Sequence, residues 1–367
     1  MITLPVVNQM QSTISERIKR ARVAAGLSQR ELAARAELSA MAVSKFERGL
    51  TNPTSRTLIR LARALGTRTE FFLRPTTIEL QQPEYRKRAS LTEKQLARIE
   101  ADILDQVERF LELLSLFPSH SVARFAAPDT VDERITTYEQ VEAAALTVRD
   151  AWHLGHNAIP CLADTLEERG LLVLTTGVDD SAKFDGLAAT VGDLPVVVVG
   201  AGWPGDRQRF TMAHELGHLV LRGRLSDELD AEKACNRFAG AFLVPASSVR
   251  QELGTYRNRL EPRELYALKH EYGVSMMAWV FRAADTGVIS DTTRTKLFQL
   301  FSSRGWRKTE PGKPIASESP KLFEQLVLHA LAEEMISTSK AAEFMGIPIS
   351  SFRERLRFEG PRGTAGQ

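Results

Sequence analysis

Two histidines with a glutamate between them carry the clearest chemical signal in the sequence. His214 and His218 are four residues apart, so on a helix both imidazoles leave the same face and can hold one Zn²⁺ ion. Glu215 follows His214 directly and is rotated from it by about 100°, which places its carboxylate beside the metal rather than on it. There it can take a proton from a water whose pKa the zinc lowers to about 7. The motif predicts zinc-dependent hydrolysis with Glu215 as general base.

The motif alone does not identify the third protein ligand of such an ion. A hydrolytic zinc normally has three protein ligands and one open position. Glu232 is the favoured candidate, and Asn236, one helical turn later, is placed to orient a histidine. The alternatives nearby are Asp227, Glu228, Asp230 and the thiol of Cys235. A cysteine in an apolar helix is more typical of a small core residue.

The elements that must position these residues mix strands with helices. Short β-branched runs bounded by glycine or proline predict strands over 171–175 and 195–200. The second strand just precedes the metal helix. It can pair with an extended substrate, it can be a core strand, and both can hold together. Apolar periodicity predicts helices over 138–152, 160–170, 211–222, 229–243 and 263–272.

This region resembles a known family. The stretches FDGLAATVGDLPVVVVGAGWPGDRQRFTMAHELGHLVL and EKACNRFAGAFLVP are similar to the ImmA/IrrE metallopeptidases over about residues 140–250. The resemblance implies zinc-dependent endopeptidase activity with Glu232 as third ligand. It also implies a protein substrate, because members of the family cut helix-turn-helix repressors. Arg222 and Gly200 depart from the family pattern, where His and Asn are common, and can alter the fit of a substrate.

The N-terminal residues are strongly basic. Residues 1–74 carry 13 Lys or Arg against 5 Glu, a balance of +8 that leaves −6 for the other 293 residues of a chain whose net charge is +2. A compact basic region in a chain whose remainder is mildly acidic predicts that this region binds a polyanion.

The same basic region has the pattern of a helix-turn-helix. Helices are expected over 15–25, 29–36, 40–48 and 54–66, with Ser28 and Glu31 forming a capping box. The sequence LSQRELAARAELSAMAVSKFERGLTNPTSRTLIRLARALG resembles the Cro/C1-type (XRE) family over about residues 15–73. The resemblance implies selective binding to a double-stranded DNA operator, usually as a homodimer. The predicted DNA-contacting residues are Gln29, Arg30, Ser39, Ala40, Met41, Ser44 and Lys45.

Between the two regions the sequence predicts a linker and then a long helix. Residues 75–90 contain two prolines and a basic cluster, and Thr92 with Gln95 forms an N-terminal cap. The helix that follows has one apolar stripe, which packs on its own chain or forms a dimer. The stripe consists of Leu96, Ile99, Ile103, Val107, Phe110 and Leu114.

The C-terminal part is expected to be helical and to serve packing or protein binding. Residues 305–320 form a Pro/Gly/Ser-rich break, and residues 321–358 read as helix. The stretch STSKAAEFMGIPISSFRERLRF resembles half of a second helix-turn-helix, but residues 321–367 carry 6 basic and 6 acidic side chains. With no net positive charge, DNA does not attract this segment strongly.

Composition narrows the class of protein. A hydrophobic content of 43% with 26% charged residues is enough to form a globular core, so a disordered protein is excluded. We expect no signal peptide, no membrane contact and a cytoplasmic location. Two cysteines, Cys161 and Cys235, are too few for a disulfide framework.

The sequence therefore predicts a predominantly helical α+β protein. Its expected parts are an all-α helix-turn-helix domain (1–74), a linker and long helix (75–136), a zincin-like α+β metallopeptidase domain (137–304) and a linker with a helical C-terminal module (305–367). The predicted function is a transcriptional regulator whose peptidase cleaves a repressor, another protein or itself in a stress, phage or mobile-element response. The alternative is a non-catalytic transcription factor or antitoxin-like repressor that uses the same domain as a sensor or partner-binding module.

Overall fold

The computed structural model describes residues 14–73, 78, 80–86, 91–118, 122–178 and 184–357. It confirms a predominantly helical α+β fold, with sixteen α-helices and four strands in these residues. The chain divides into two compact units. Unit 1 comprises Met1–Glu79, Leu96–Val122 and Pro320–Gln367, and unit 2 comprises Leu80–Gln95 and Ala123–Ser319.

Unit 1 begins with the short helices that the sequence predicts. They are α1 (Ile14–Ala24), α2 (Gln29–Arg35), α3 (Ala40–Glu47) and α4 (Ser55–Leu65), followed by a 3-10 helix at Thr69–Leu73. The capping box is present, because Ser28 Oγ accepts from the Glu31 amide and the Glu31 carboxylate accepts from the Ser28 amide. Ile18, Leu32, Val43 and Leu61 are buried in the core of this bundle, which fixes α2 and α3 relative to α1 and α4.

The long helix α5 (Glu93–Leu114) packs on its own chain. All six residues of its apolar stripe are buried, so the stripe is not an exposed dimerisation face. Glu108, also buried, pairs with Arg17 and with Arg20 of α1, the latter at 2.6 Å. The structure thus supports the interpretation of α5 as a helix packed within one chain, and a homodimer stays a prediction.

The C-terminal segment is helical and consists of three short helices. They are α14 (Leu322–Ala332), α15 (Thr338–Phe344) and α16 (Ile349–Leu356). Gly346 has a φ of +66° in the turn after α15. Phe344 and Phe352 share a core with Leu113 at the end of α5, and Arg109 donates to the Phe344 carbonyl at 2.7 Å. This arrangement is that of a packing module, as the sequence predicts.

Unit 2 contains a four-stranded sheet that the sequence predicted only in part. Its strands are β1 (Gln81–Arg86), β2 (Leu172–Thr176), β3 (Gly186–Val191) and β4 (Leu194–Gly200), in the order β1-β3-β4-β2. Strands β2 and β4 are parallel and the other pairs antiparallel. Since β4 has a neighbour on each side, the expectation that it pairs with a substrate is wrong.

Strand β1 lies inside the stretch predicted as a linker. This strand was not predicted because it contains Pro83. A proline has no amide hydrogen to donate to a β-ladder and therefore normally argues against a strand. The register accommodates this residue with a shift between Gln81 and Glu84. Of the same predicted linker, residues 75–77, 79 and 87–90 lie outside the described residues.

Eight helices of unit 2 supply most of its main core. They are α6 (Tyr138–Ala151), α7 (Leu162–Glu168), α8 (Gly205–Leu221), α9 (Ala231–Leu243), α10 (Ala246–Leu253), α11 (Pro262–Tyr272), α12 (Met276–Asp285) and α13 (Asp291–Ser303). Helix α8 starts earlier than predicted. Its first turn is polar, so no apolar periodicity in the sequence marked where the helix begins. Within the described ranges, none of the helices has both the length and the apolar character needed to span a bilayer.

Gly186 lets α8 lie close against the sheet. A Cβ atom added at Gly186 would stand 2.4 Å from Thr211 Cγ2 of α8 and 2.7 Å from the Val198 carbonyl oxygen of β4. These distances are far below van der Waals contact, so any larger residue must push α8 away from β3.

We therefore expect Gly186→Ala to lower the free energy of unfolding of unit 2 by about 1–3 kcal/mol, the usual cost of overpacking. Urea denaturation followed by tryptophan fluorescence measures it, because Trp152, Trp203, Trp279 and Trp306 all lie in unit 2. Gly177→Ala is the matched control, since a Cβ at Gly177 meets nothing within 4 Å. Equal stabilities of the two variants would contradict this account.

Candidate metal centre

Helix α8 brings the two histidines and the adjacent glutamate into the interior of unit 2. His214 and Glu215 are fully buried and His218 is 8% exposed. The two imidazoles leave one face of α8, with their Nε2 atoms 3.0 Å apart. Two nitrogen lone pairs at that distance repel each other unless a proton or a cation lies between them, so this geometry suits a shared positive ion.

The first turns of α8 are anchored by buried ion pairs. Asp206 pairs with Lys269 of α11 at 2.8 Å, and Lys269 also pairs with Glu310 at 2.8 Å. Arg209 pairs with Glu318, and the Gly205 amide donates to the Ile315 carbonyl at 2.9 Å. The Pro/Gly/Ser-rich break is therefore irregular in form but fixed against α8, a role the sequence did not reveal.

Helix α9 supplies the third side chain by close packing on α8. A Cβ at Gly217 would lie 3.2 Å from Phe238 and 3.4 Å from the Cα of Cys235, so only glycine allows this approach without a shift. As a result Glu232 Oε2 lies 3.5 Å from His214 Nε2, and Glu232 Oε1 lies 3.4 Å from His218 Nε2. Among the described residues, these three form the cluster with metal-ligand geometry.

The donor set fits a zinc ion. Two imidazole nitrogens and one carboxylate are a known three-ligand set of hydrolytic zinc. Zinc bonds of 2.0–2.1 Å at tetrahedral angles place ligand atoms about 3.3 Å apart, close to the observed 3.0, 3.4 and 3.5 Å. The Glu232 side chain is 58% exposed, which leaves the cluster open on one side.

Asn236 fixes which nitrogen of His214 faces the cluster. Its amide oxygen Oδ1 lies 3.0 Å from His214 Nδ1. Because an amide oxygen can only accept, Nδ1–H is the donor, and the neutral ring then presents an unprotonated Nε2 to the other ligands. The placement of Asn236 agrees with its predicted orienting role.

The two imidazoles also act on the carboxyl group of Glu232. When no metal is bound and the imidazoles carry a proton towards the cluster, hydrogen bonding to His214, and then to His218, lowers the pKa of Glu232 well below its usual value, against the opposing effect of burial. The carboxylate is thus the charged form that a cation requires.

Glu215 faces the sheet beside the cluster. Its Oε1 lies 3.4 Å from the position that a Cβ at Gly186 would take, at the start of β3. Glu215 is outside the cluster of ligand atoms, as expected for a residue rotated about 100° from His214. Glu215 is buried between α8 and β3 and follows the ligand residue His214 directly in the chain.

An ion-pair network holds α9 in position. Arg237 of α9 pairs with Glu142 of α6 at 2.5 Å and with Asp285 of α12 at 2.7 Å, while Arg282 pairs with Glu142 at 2.8 Å. Burial favours a raised pKa for Glu142, but hydrogen bonding to Arg282 and the charges of both arginines lower it overall. This network could not be predicted from the sequence, because its members are far apart in the chain.

The residues that the sequence offered as alternative ligands lie outside the cluster. Asp230 is the N-cap of α9 and accepts from the Lys233 amide at 3.1 Å. Cys235 is buried, and burial raises the pKa of its thiol, while Asp227 and Glu228 are exposed. None of the four belongs to the cluster that the described residues form.

Two other histidines and two tyrosines of unit 2 lie outside the cluster of ligand atoms. His156 contacts Ser247 Oγ at 2.9 Å, and His153 sits in a turn with a φ of +56°. Tyr266 accepts a hydrogen bond from the Lys313 amide, and Tyr256 is 61% exposed.

The predicted DNA-contacting residues all lie on α2, on α3 or at the cap of α3. Arg30, Ala40 and Lys45 are exposed, Met41 is 68% exposed, and Ser44 is half-buried. Ser39 caps α3 by accepting from the Ala42 amide at 3.1 Å.

One contact at this surface was not foreseen. The side-chain amide of Gln29 donates to Glu47 at 2.7 Å, and Glu47 pairs with Arg22 at 2.5 Å. These bonds fasten the end of α3 to α1 and to the start of α2, so the exposed face of α3 is presented as one rigid surface.

Comparison with known families agrees with both halves of this description. Residues 18–72 match the sequence model of the family described as Helix-turn-helix. Residues 167–284 match that of a peptidase family described as the IrrE N-terminal-like domain. No curated protein matches the chain significantly. The chain therefore carries a Helix-turn-helix domain of the XRE type followed by an IrrE N-terminal-like (ImmA/IrrE) domain.

Proposed function

We propose that the protein is a cytoplasmic transcriptional regulator whose second domain is a zinc-dependent endopeptidase. The observation that carries the proposal is the meeting of His214, His218 and Glu232 with Glu215 beside them. The substrate is a repressor, another partner protein or this chain itself, and its cleavage controls genes of a stress, phage or mobile-element response. The regulator binds a double-stranded DNA operator as a homodimer.

The chain's own groups divide the work of hydrolysis. His214, His218 and Glu232 hold the zinc ion, which, when bound, polarises the substrate carbonyl and lowers the pKa of water. Glu215 takes the proton from the attacking water and delivers it to the leaving amine. Asn236 keeps Nε2 of His214 unprotonated, and burial of α8 excludes other water from Glu215.

Glu215→Gln removes the base while keeping the size of the side chain. We expect cleavage to fall by at least about 100-fold, with zinc content and DNA binding unchanged. Cleavage is measured as new N-termini in a proteome-derived peptide library, and zinc content by elemental mass spectrometry. Glu228→Gln is the control, since Glu228 is exposed and outside the cluster. Equal cleavage by the two variants would exclude the peptidase.

Asn236→Ala removes the group that orients His214. We expect zinc affinity to fall by about 10–100-fold, as for other residues that position a ligand. Competition with a chromophoric chelator measures the affinity, and Asn157→Ala serves as control because Asn157 contributes only its carbonyl, to Arg149. An unchanged affinity would remove Asn236 from the site.

The DNA-binding half makes a separate prediction. Lys45 is an exposed cation on α3, so Lys45→Ala should weaken binding and reduce the slope of log affinity against log salt by about 1. The probe is the duplex that the unmodified chain selects from a random pool, and Lys94→Ala on α5 is the control. If Lys45→Ala binds with an unchanged salt slope, α3 is not the contacting surface.

A cavity favours the second candidate function, a non-catalytic sensor. A volume of about 690 Å³ lies among α8, α9 and α12 and is lined by Phe210, Asn236, Arg237 and Phe281. A ligand there would contact Asn236, the hydrogen-bond partner of His214. In cells, unchanged repression and derepression with Glu215→Gln would favour this candidate over the peptidase.

A further inference from the structure

The outer edge of β3 is covered by a strand from a remote part of the chain. β3 forms a tight antiparallel hairpin with β4, but its other neighbour, β1, lies about 100 residues earlier in sequence. Such an edge strand is held only by its backbone ladder and tertiary contacts, not by a short turn that keeps it in place.

The register brings one end of β1 opposite Gly186, which lies close to Glu215. Gln81 lies opposite Thr190 at the far end, and Arg86 lies opposite Gly186 at the near end. Gly186 is the residue whose Cβ position is 3.4 Å from Glu215 Oε1. The segment therefore runs extended along β3 and ends beside the general base.

The ladder between β1 and β3 is irregular. Its register shifts between Gln81 and Glu84, and Pro83 in that interval has no amide hydrogen to donate. The β3–β4 ladder, by comparison, is in continuous register from Gly186–Val199 to Val191–Leu194. Of the two partners of β3, β1 is the one that can leave without dismantling the core of the sheet.

We infer that the outer edge of β3 is a docking edge for an extended polypeptide, and that residues 81–86 occupy it as an internal competitor. This inference rests on the proposed peptidase function. Departure of β1 would leave the amides and carbonyls along β3 unpaired, and an extended protein segment satisfies them by adding a strand. A partner segment bound this way passes Glu215 in the position that Arg86 now holds.

The first test opens the edge. Glu84→Pro combined with Tyr85→Pro removes two adjacent amide hydrogens, and because adjacent residues face opposite sides of a strand, one of them faces β3. Glu215→Gln is added so that no peptide is cut. The probe is a fluorescent peptide of residues 78–92 of this chain, with a scrambled peptide as specificity control.

We expect the opened chain to bind the peptide at least tenfold more tightly than the Glu215→Gln chain alone. Hydrogen exchange at the β3 amides should rise in the opened chain and fall again with peptide. Arg88→Pro with Ala89→Pro, beyond the strand, is the matched control and should bind as weakly as the unopened chain. Equal binding to opened and unopened chains, or to the scrambled peptide, overturns the inference.

The second test closes the edge. Gln81→Cys with Thr190→Cys places two thiols on partner residues of the ladder, at a separation a disulfide can bridge. In a chain that keeps Glu215, the oxidised form should lose most cleavage of the peptide library and the reduced form should regain it. An oxidised form as active as the reduced form overturns the inference even if the proline variant fails to fold.

The two hypotheses fail in different ways. Peptide binding and hydrogen exchange in the Glu215→Gln chain require neither zinc nor turnover, so they stand if the peptidase proposal fails. If the zinc-loaded unmodified chain cuts itself between residues 86 and 90, seen by intact mass, β1 is a substrate and the competitor role is overturned.

Discussion

The candidate site depends on the close packing of α9 against α8 at Gly217. A Cβ at this position would lie 3.2 Å from Phe238 and 3.4 Å from the Cα of Cys235, so α9 would have to shift by a few tenths of an ångström. Such a shift would move Glu232 relative to the two imidazoles and Asn236 relative to His214. A single absent Cβ thus permits the contact from which both the third ligand and its orienting group follow.

A second constraint comes from buried charge. Arg237, Arg282, Glu142 and Asp285 join α6, α9 and α12. Arg282 is buried, whereas Glu142, Arg237 and Asp285 are half-buried. Moving one of these helices alone would separate a charge from its partner, which opposes the movement. The network ties α9 to α6 and α12, and three of its members, Arg237, Arg282 and Asp285, line the cavity beside Asn236.

The same physics operates in unit 1. Glu108 of α5 lies between Arg17 and Arg20 of α1, and burial lowers the pKa of Arg20 despite the attraction of Glu108. The apolar stripe of α5 is buried against other residues of the same chain. Glu47, in the last turn of α3, binds Arg22 of α1 and Gln29 of α2 and so holds α3 in place. The result is a rigid helical group that exposes one face of α3, as recognition of a duplex requires.

The sequence by itself determined the features that depend on neighbours within a turn or two. The spacing of His214 and His218, the rotation of Glu215, the caps at Ser28 and Thr92 and the order of α2 and α3 all follow from local geometry. It predicted β2 and β4, whose β-branched runs are distinctive, but missed β3, half of whose residues are glycine or alanine, and β1, which contains Pro83. Only the tertiary structure decided that Glu232 rather than Asp230 lies near the imidazoles, that β4 is central, and that residues 81–86 cover β3. These outcomes depend on which distant surfaces meet, and the free energy of that packing is not contained in any short stretch of sequence.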